Sequence, residues 1–309
     1  DMSFSVSLEN RTFEYEGSLG GLTAQPANLL RPRYWQMLSG LVKFYRTAVA
    51  ESMCGPEAES LGQFIERCGL PKAFVNDHLL PMGAAIWSCS ARDMLDYPVR
   101  AFIQFMDNHK LLDFGARPVW RTVKGGSREY VSRISARLND RIETKTKVNS
   151  VRRDAGGIVI NVEGQGDIWY DKVIMAAHAD ESLKLMADAS EQETEILKAF
   201  RFSENRVILH SDDRLMPKRK RAWAAWNYLS DDQENLCATY WMNRLQCIDM
   251  STPLFTTLNP KVEPLETLVH ADLLYQHPIF DKQALLAQKQ LAGIQGQDHI
   301  FWCGAWTAN

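Results

Sequence analysis

Three short apolar runs between residues 148 and 175 constrain the fold of this chain more than any other feature of its sequence. They occupy residues 148–151, 158–162 and 172–175, and polar segments with glycines, 154–157 and 164–167, separate them. This alternation predicts consecutive strands joined by tight turns. The third run is apolar without alternation, so we expect it to be buried on both faces. It ends in small residues, where the backbone can approach a flat ligand closely.

These runs and several other segments carry a family resemblance. The glycine pair 125–126 precedes a helix-like run, and the third apolar run continues into residues 176–178. This region resembles the middle of flavin-containing amine oxidases and their relatives, which include phytoene desaturases and protoporphyrinogen oxidases. Segments 79–88, 226–228 and 240–245 are most similar to a bacterial group of NAD/FAD-binding oxidoreductases. The resemblance covers essentially the whole chain, and it identifies the family better than the reaction.

The resemblance implies an α/β fold class, with α+β character in the substrate part. We expect an incomplete FAD-binding Rossmann-like domain, interleaved with a substrate domain of antiparallel sheet and helices. Residues 1–118 (a hairpin and helices) and 201–295 would form the substrate domain, and residues 119–200 and 296–309 the FAD-binding domain. A chain of 309 residues is long enough for two such domains.

Local patterns predict the individual elements. Alternating apolar residues predict a hairpin over residues 1–16, apolar residues at helical spacing predict a helix over 32–50, and residues 119–123 are typical of a strand. Four later segments are interpreted as strands of one antiparallel sheet, namely residues 206–212, 221–229, 236–245 and 255–258.

A glycine fingerprint for dinucleotide binding follows none of the predicted strands. Residues 17–21 have the wrong spacing for G-x-G-x-x-G, and residues 164–166 lack the third glycine and the helix. Relatives carry this fingerprint before the point at which this chain begins. We therefore expect the chain to be a fragment that lacks the N-terminal glycine-rich unit and the C-terminal FAD helix.

The resemblance also implies which residues hold the cofactor, FAD. Val148 matches the position whose backbone meets the adenine, and the small-residue turn after the third run matches the ribityl and diphosphate contact. The resemblance also assigns to the cofactor site the start of the C-terminal flavin motif. It assigns the glycine pair 125–126, more weakly, to a contact near the isoalloxazine. The candidates other than Val148 are Ala176, Ala177, His178, Gly304, Ala305, Trp306, Thr307, Gly125 and Gly126.

Aromatic residues point to a hydrophobic substrate. Trp226 and Tyr228, and likewise Tyr240 and Met242, are two residues apart in predicted strands, so each pair of side chains lies on one face of the sheet. Such a face is either part of the core or the lining of a cavity. Trp87 follows Ala84 and Ala85, which fits a core helix and a cavity wall equally. We expect these aromatics to line a pocket for a lipid-like or polyene molecule, from which a hydride passes to the flavin N5.

Two alternatives stay open beside this interpretation. Amine oxidases usually place a lysine near the flavin N5 where this chain has Leu209 or His210, which argues against a flavin amine oxidase acting on a C–N bond. His210 is a weak catalytic candidate, and a structural histidine is the competing interpretation. The chain as given is also compatible with a non-catalytic binding module, because the cradle for the pyrophosphate is missing from it.

Charge and cysteine content exclude several other classes. A net charge of -3 gives no nucleic-acid footprint. The basic run 218–221 is either a solvated loop or a peripheral contact with anionic lipid. Six cysteines without a C-x-x-C pair favour reduced thiols over disulfides or a metal site. With no apolar run of membrane-spanning length and no signal peptide, we expect a cytoplasmic protein; the sequence does not predict its oligomeric state.

Overall fold

The computed structural model describes residues 2–113, 119–138, 141–229 and 236–307. The chain divides into two compact units, each built from two separate segments. Unit 1 comprises residues 1–122 and 203–277, and unit 2 comprises residues 123–202 and 278–309. The predicted boundary after residue 118 and the last two residues of the predicted segment 296–309 lie outside the described residues.

The elements of the described residues follow one another in a mixed α/β order. The strands are β1 (Phe4–Leu8), β2 (Phe13–Glu16), β3 (Val148–Asp154), β4 (Gly157–Val162), β5 (Gly166–Tyr170), β6 (Val173–Met175), β7 (Arg201–His210), β8 (Trp226–Leu229), β9 (Ala238–Trp241), β10 (Phe255–Leu258), β11 (Val269–Ile279) and β12 (Ile300–Trp302). The helices are α1 (Leu19–Leu22), α2 (Pro32–Cys54), α3 (Leu61–Arg67), α4 (Lys72–Phe74), α5 (Leu80–Trp87), α6 (Ala91–Leu95), α7 (Val99–Asn108), α8 (Arg128–Ser135), α9 (Ala179–Leu185), α10 (Glu191–Lys198), α11 (Met242–Gln246) and α12 (Lys282–Leu291).

A seven-stranded sheet organises unit 1, in the order β11-β7-β10-β9-β8-β1-β2. The predicted hairpin over residues 1–16 is present as the antiparallel pair β1–β2. The four later segments predicted as strands of one antiparallel sheet are present as β7, β8, β9 and β10, which pair antiparallel throughout, whereas β1 joins them in parallel beside β8 and makes the sheet mixed. These two strands lie more than 200 residues apart in the sequence, and their relative direction is not encoded by any local pattern.

The two faces of this sheet differ in chemistry. Across β1, β8, β9 and β10, one row of paired residues is Phe4, Trp226, Tyr240 and Thr256, and the neighbouring row on the other face is Ser5, Asn227, Thr239 and Thr257. The second row is fully buried although it is polar. Its side chains bond to one another, with Ser5 donating to Asn227 and the Thr239 and Thr257 hydroxyls 2.8 Å apart. We call this row the polar row.

The helices of unit 1 begin with α2, which buries its Tyr34, Met37, Phe44 and Ala48 face. The predicted helix over 32–50 is therefore present and runs on to Cys54. The segment from Lys72 to Trp87 is helical throughout, and it contains a π-helical turn at Val75–Leu79. A wider turn before Pro81 accommodates a residue that has no N–H to donate.

Two small sheets build unit 2. The order β3-β4-β5 is antiparallel, and β6 pairs with β12 in parallel. A core of residues from β3, β4, β6, β12, α9, α10 and α12 includes Val151, Ile158, Met175 and Leu197, and Trp306 joins it from the turn after β12.

Two expectations about unit 2 and its start were wrong. The run 172–175 is not buried on both faces, because the Ile174 side chain is 67% exposed on the two-stranded sheet. Residues 119–123 form no strand, and Val119, Trp120 and Val123 are exposed.

Candidate functional site

The carboxyl ends of β6 and β12 lie side by side, and each continues into a turn of small residues. The Cys303 N–H donates to the Met175 carbonyl at 3.0 Å, which fixes the start of one turn against the other. Ala176 follows β6, Gly304 and Ala305 follow β12, and all three are exposed. Ligands of α/β sheets bind where the strands end at their carboxyl edge. The structure therefore brings together residues that lie at least 128 positions apart in the sequence.

Trp306 forms the floor beneath these turns. Its ring is buried and packs on Phe200 with centroids 4.8 Å apart, and its Nε1–H donates to the Ala177 carbonyl at 3.0 Å. A Cβ atom on Gly304, which has φ +150°, would lie 2.8 Å from the Trp306 Nε1. Only glycine leaves the indole in this position, so Gly304 and Trp306 act as a pair that shapes the turn.

Three enclosed polar atoms at this edge have no hydrogen-bond partner among the described residues. They are His178 Nδ1, Asp180 Oδ1 and Ser182 Oγ, which belong to the end of the β6 turn and the beginning of α9. The His178 ring stacks on Phe202, with centroids 4.2 Å apart and planes 13° apart. Enclosed polar groups without partners are costly unless a ligand or water satisfies them. Small exposed turns beside unpaired polar atoms fit a flat cofactor with a polar chain.

Asp180 and Ser182 were not predicted as site residues. The sequence signal for them is their spacing of two and four residues after His178, which places them in the first turn of the helix that follows the small-residue turn. We call Ala176, Ala177, His178, Asp180, Ser182, Gly304, Ala305 and Trp306 the strand-end site.

The remaining cofactor candidates lie elsewhere in unit 2. Val148 is half-buried at the start of β3, pairs with Val162 and packs against the same core cluster as Met175 and Trp306. Gly125 and Gly126 form a left-handed turn before α8, with φ +88° and +84°, and the contacts of this turn are local. The Gly126 N–H donates to the Val123 carbonyl at 2.9 Å. The roles of these residues toward FAD stay predictions.

The predicted substrate aromatics belong to unit 1, where two of them are in contact. The Trp226 and Tyr240 rings meet edge to face with centroids 4.9 Å apart. Tyr240 donates its hydroxyl to the Ala85 carbonyl at 3.2 Å, and burial raises the pKa of its phenol to about 12. The Trp226 Nε1–H is enclosed and has no partner among the described residues. We call Trp226 and Tyr240 the aromatic pair.

Trp87 is packed inside a separate group of rings. Its centroid lies 4.9 Å from that of Tyr97, 5.3 Å from that of Phe102 and 4.8 Å from that of Phe105. Its α5 neighbour Ala85 accepts the Tyr240 hydroxyl, so one turn of helix connects this ring group to the aromatic pair. Whether Trp87 contacts substrate stays a prediction.

His210 is part of the polar row's hydrogen-bond chain. Its Nδ1 accepts the Asp212 N–H at 3.1 Å, so its Nε2 carries the proton and donates to the Thr257 hydroxyl at 2.7 Å. The ring is fully buried, and burial lowers the pKa of the imidazole. Both nitrogens are therefore used by the sheet, and the ring is neutral at neutral pH.

Two further features bear on the kind of site. Within the part of the chain that the structure describes, no group of three His, Cys, Asp or Glu residues is arranged to hold a metal ion. Among the same residues, no helix combines the length and the apolar character that crossing a membrane requires.

Comparisons with known proteins add a family and a fold. The family model for flavin containing amine oxidoreductase matches residues 23–237. No curated protein matches the sequence.

Three solved structures share the fold at low identity. A fatty acid isomerase from P. acnes that produces CLA is 14% identical, with 98% of this chain and 74% of that chain covered and a TM-score of 0.62. A putrescine oxidase bound to putrescine is 9% identical (100% and 76% covered, TM-score 0.63), and a reduced UDP-galactopyranose mutase is 13% identical (99% and 73% covered, TM-score 0.61). The predicted mixed α/β fold class is confirmed.

Proposed function

The family model matches more than half of the residues, so the chain belongs to the flavin containing amine oxidoreductase family, and we propose that it binds FAD and oxidises a hydrophobic small molecule. The observation that carries the proposal is the strand-end site. Two turns of small residues meet at one sheet edge there, beside three enclosed polar atoms that lack partners. When bound, FAD would supply the hydride-accepting chemistry that the side chains themselves lack.

The residues of the strand-end site would bind the cofactor largely through main chain and small side chains. The exposed backbone at Ala176, Gly304 and Ala305 offers close approach, since none of these residues has a side chain beyond Cβ. The unpaired Asp180 Oδ1 would accept a hydrogen bond from a polar chain such as the ribityl group, and the Ser182 hydroxyl would donate one to it or accept one from it. Trp306 would keep the two turns in register.

The aromatic pair would orient the substrate rather than exchange protons with it. The Tyr240 phenol stays protonated at neutral pH, because burial raises its pKa to about 12, and its proton is already donated to Ala85. The unpaired Trp226 Nε1–H is available to one acceptor atom of a bound molecule. An apolar wall with one donor favours a lipid-like molecule with a single polar group over a small polar amine.

The first test measures flavin binding by the purified 309-residue chain, by flavin fluorescence quenching with FAD and with riboflavin. We expect FAD to bind more tightly, because riboflavin lacks the diphosphate that the turn after β6 is predicted to contact. Ala176→Trp fills the exposed turn and should weaken FAD binding by at least about tenfold, equivalent to about 1.4 kcal/mol. Ala155→Trp, at an exposed hairpin turn of unit 2, is the matched control. Equal affinity of both variants would remove the strand-end site from the proposal.

The second test concerns the substrate class. The flavin-loaded protein is mixed anaerobically with an unsaturated fatty acid, a polyene or putrescine, and bleaching of the visible flavin band is followed. We expect bleaching by a hydrophobic substrate and slower bleaching in Trp226→Phe, which keeps the ring and removes the donor. Rapid bleaching by putrescine with peroxide release in air would instead identify an amine oxidase.

A further inference from the structure

Two leucine side chains of unit 1 are almost fully exposed. Leu19 begins α1 and is 89% exposed, and Leu30 ends the 3₁₀ turn Pro26–Leu30 and is 87% exposed. The ring of Trp35, in the first turn of α2, is exposed as well. A single exposed leucine is ordinary on a protein surface, but several large apolar side chains exposed in one region are typical of an interaction surface.

Hydrogen bonds hold these side chains in one region. The Tyr34 hydroxyl, at the start of α2, donates to the Leu22 carbonyl at the end of α1 at 2.8 Å. The Trp35 Nε1–H donates to the Leu29 carbonyl at 2.9 Å, which ties the ring to the residue before Leu30. The backbone beneath the exposed side chains is therefore fixed, although the side chains themselves are open to solvent.

The basic run 218–221 is held beside α1. The Lys218 and Arg219 N–H groups donate to the buried Glu14 carboxylate on β2 at 2.7 and 3.1 Å, and the Arg219 guanidinium donates to it at 2.9 Å. The 3₁₀ turn Lys220–Ala222, in which the run ends, packs against α1 and β2. The run therefore has a fixed position next to the exposed leucine of α1.

Three cations of this run are exposed, and none of them forms an ion pair with a described residue. They are Lys218, Lys220 and Arg221. The sequence around the leucines and around the run has the same sign of charge, because residues 17–50 and 214–230 contain nine Lys or Arg and no Asp or Glu. We call Leu19, Leu30, Trp35, Lys218, Lys220 and Arg221 the leucine face.

The leucine face lies toward one end of the seven-stranded sheet. β2 ends at Glu16, just before α1, and β8 begins at Trp226 at the same end of the sheet. β8 runs from there to Leu229 at the opposite end, and the acids of residues 230–235 follow Leu229 in the sequence. The face is thus at the end where β8 begins, and not at the end from which residues 230–235 continue.

The helix α2 continues the apolar surface along its own exposed side. Val42 and Val49 follow Trp35 at intervals of seven residues, so all three lie on one side of the helix, and all three are exposed. Lys43 and Arg46, which are also exposed, lie between them in the sequence. Apolar residues along one side of a helix, accompanied by basic residues, are typical of helices that lie in the surface of a membrane.

We propose that the leucine face docks on a membrane surface that contains anionic lipid. The leucines would enter the boundary of the acyl chains, tryptophan favours that boundary, and the cations would pair with the headgroups. A second copy of this chain fits less well, because a symmetric contact would place the two basic runs against each other. The proposal extends the proposed function, since a lipid-like substrate would be reached from the bilayer, but vesicle binding needs neither FAD nor turnover.

The test measures binding of the 309-residue chain to lipid vesicles by co-sedimentation, without FAD. Equimolar phosphatidylcholine and phosphatidylglycerol should bind it at least about tenfold more tightly than phosphatidylcholine alone, and added salt should reduce this difference. Equal binding to both kinds of vesicle, or binding to neither, would overturn the proposal. A protein that fails to bind FAD but binds anionic vesicles would contradict the proposed function alone.

Paired substitutions of basic residues localise the charge effect. Lys220→Gln with Arg221→Gln should weaken binding to the anionic vesicles about tenfold, because two headgroup contacts are lost. Lys198→Gln with Lys282→Gln, at exposed positions of unit 2, makes the same change in net charge and should leave the affinity unchanged. An equal loss in both variants would mean that binding follows net charge, and it would refute the assignment to this face.

Paired substitutions of leucines test the apolar contact. Leu19→Gln with Leu30→Gln should also weaken binding about tenfold, whereas Leu274→Gln with Leu286→Gln, at exposed positions of β11 and α12, should not. Unchanged binding of the first variant would overturn the proposal. Light scattering tests the other occupant, because a dimer of the parent chain that the Leu19 and Leu30 variant loses would assign the face to a second copy instead.

Discussion

The polar row of unit 1 and the parallel pair β6–β12 of unit 2 differ in what they bury, because the first encloses polar side chains and the second leaves an apolar side chain exposed. In unit 1 a seven-stranded sheet buries polar side chains, and each of Ser5, Asn227, Thr239 and Thr257 finds a partner in its own row. In unit 2 a two-stranded sheet leaves the apolar Ile174 67% exposed. Parallel sheets usually have both faces covered, and buried polar groups are usually sparse.

This difference indicates that the polar row specifies the fold, whereas the strand-end site is open to a ligand. A satisfied buried network tolerates little change, because each lost partner leaves an enclosed polar atom unpaired. The strand-end site has the opposite character, with exposed small residues and polar atoms that are already unpaired. We expect substitutions in the polar row to act mainly through the stability of unit 1, and substitutions of the exposed strand-end residues to act mainly through ligand binding.

The largest effect should come from removing the centre of the polar row. The Asn227 side chain accepts from Ser5 Oγ and the Ala224 N–H and donates to the Ala224 and Thr239 carbonyls, all at 2.8–2.9 Å. Asn227→Ala should cost about 3–5 kcal/mol of unfolding free energy, because several buried groups lose partners together. Asn149→Ala, an exposed residue of β3, should cost less than about 0.5 kcal/mol.

Peptide-resolved hydrogen exchange measures both variants, since it reports on each unit separately. Faster exchange should appear across β1, β8 and β9 in Asn227→Ala. If Asn149→Ala destabilised its strands as strongly, the contrast between the two regions would be lost.

A pair of isoleucines gives the next largest contrast. Ile208 on β7 is 1% exposed, and Ile174 on β6 is 67% exposed. Ile208→Ala should cost about 2–4 kcal/mol through lost burial and the cavity that remains, whereas Ile174→Ala should stay within about 0.5 kcal/mol. Urea unfolding followed by circular dichroism checks both values. A cost above 1 kcal/mol for Ile174→Ala would show that its side chain is covered in solution.

Local sequence patterns predicted which elements form in both regions, but they predicted less well which strands pair and which side chains are buried. The β1–β2 hairpin and α2 follow from apolar spacing, since spacing records which side of an element is buried. The parallel pairing of β1 with β8 and the exposure of Ile174 depend on residues more than 100 positions away in the sequence. The strand-end residues were named through the family resemblance, but the unpaired atoms of Asp180 and Ser182 follow only from the three-dimensional packing.

A glycine substitution tests whether the strand-end site is built or incidental. Gly304→Ala places a Cβ atom against the Trp306 indole at a backbone angle that other residues rarely adopt, and it should cost about 1–3 kcal/mol. Gly20→Ala in α1 has no atom within 4 Å of the new methyl and should be nearly neutral. Thermal unfolding gives the stabilities, and FAD titration should show weaker binding for the first variant alone. Retained affinity in a destabilised Gly304→Ala would assign this glycine to packing only.

The smallest effect concerns the pH dependence that His210 gives to the stability of unit 1. Burial lowers the pKa of its imidazole in the folded chain, while in the unfolded chain the imidazole titrates near 6.5. Below that pH the unfolded state binds the extra proton, so His210 contributes stability that is fully present above about pH 6.5 and is lost as the pH falls. The slope from one such group is at most about 1.4 kcal/mol per pH unit.

His210→Gln, whose amide has both a donor and an acceptor, removes the titration and should flatten the profile below about pH 6.5. Urea unfolding at several pH values compares this variant with the parent chain. Parallel profiles would mean that His210 titrates normally and is therefore not the neutral, doubly bonded ring of the polar row. In that case a protonated His210 would again become a catalytic candidate. The pH dependence of stability therefore decides whether His210 is a structural or a catalytic residue.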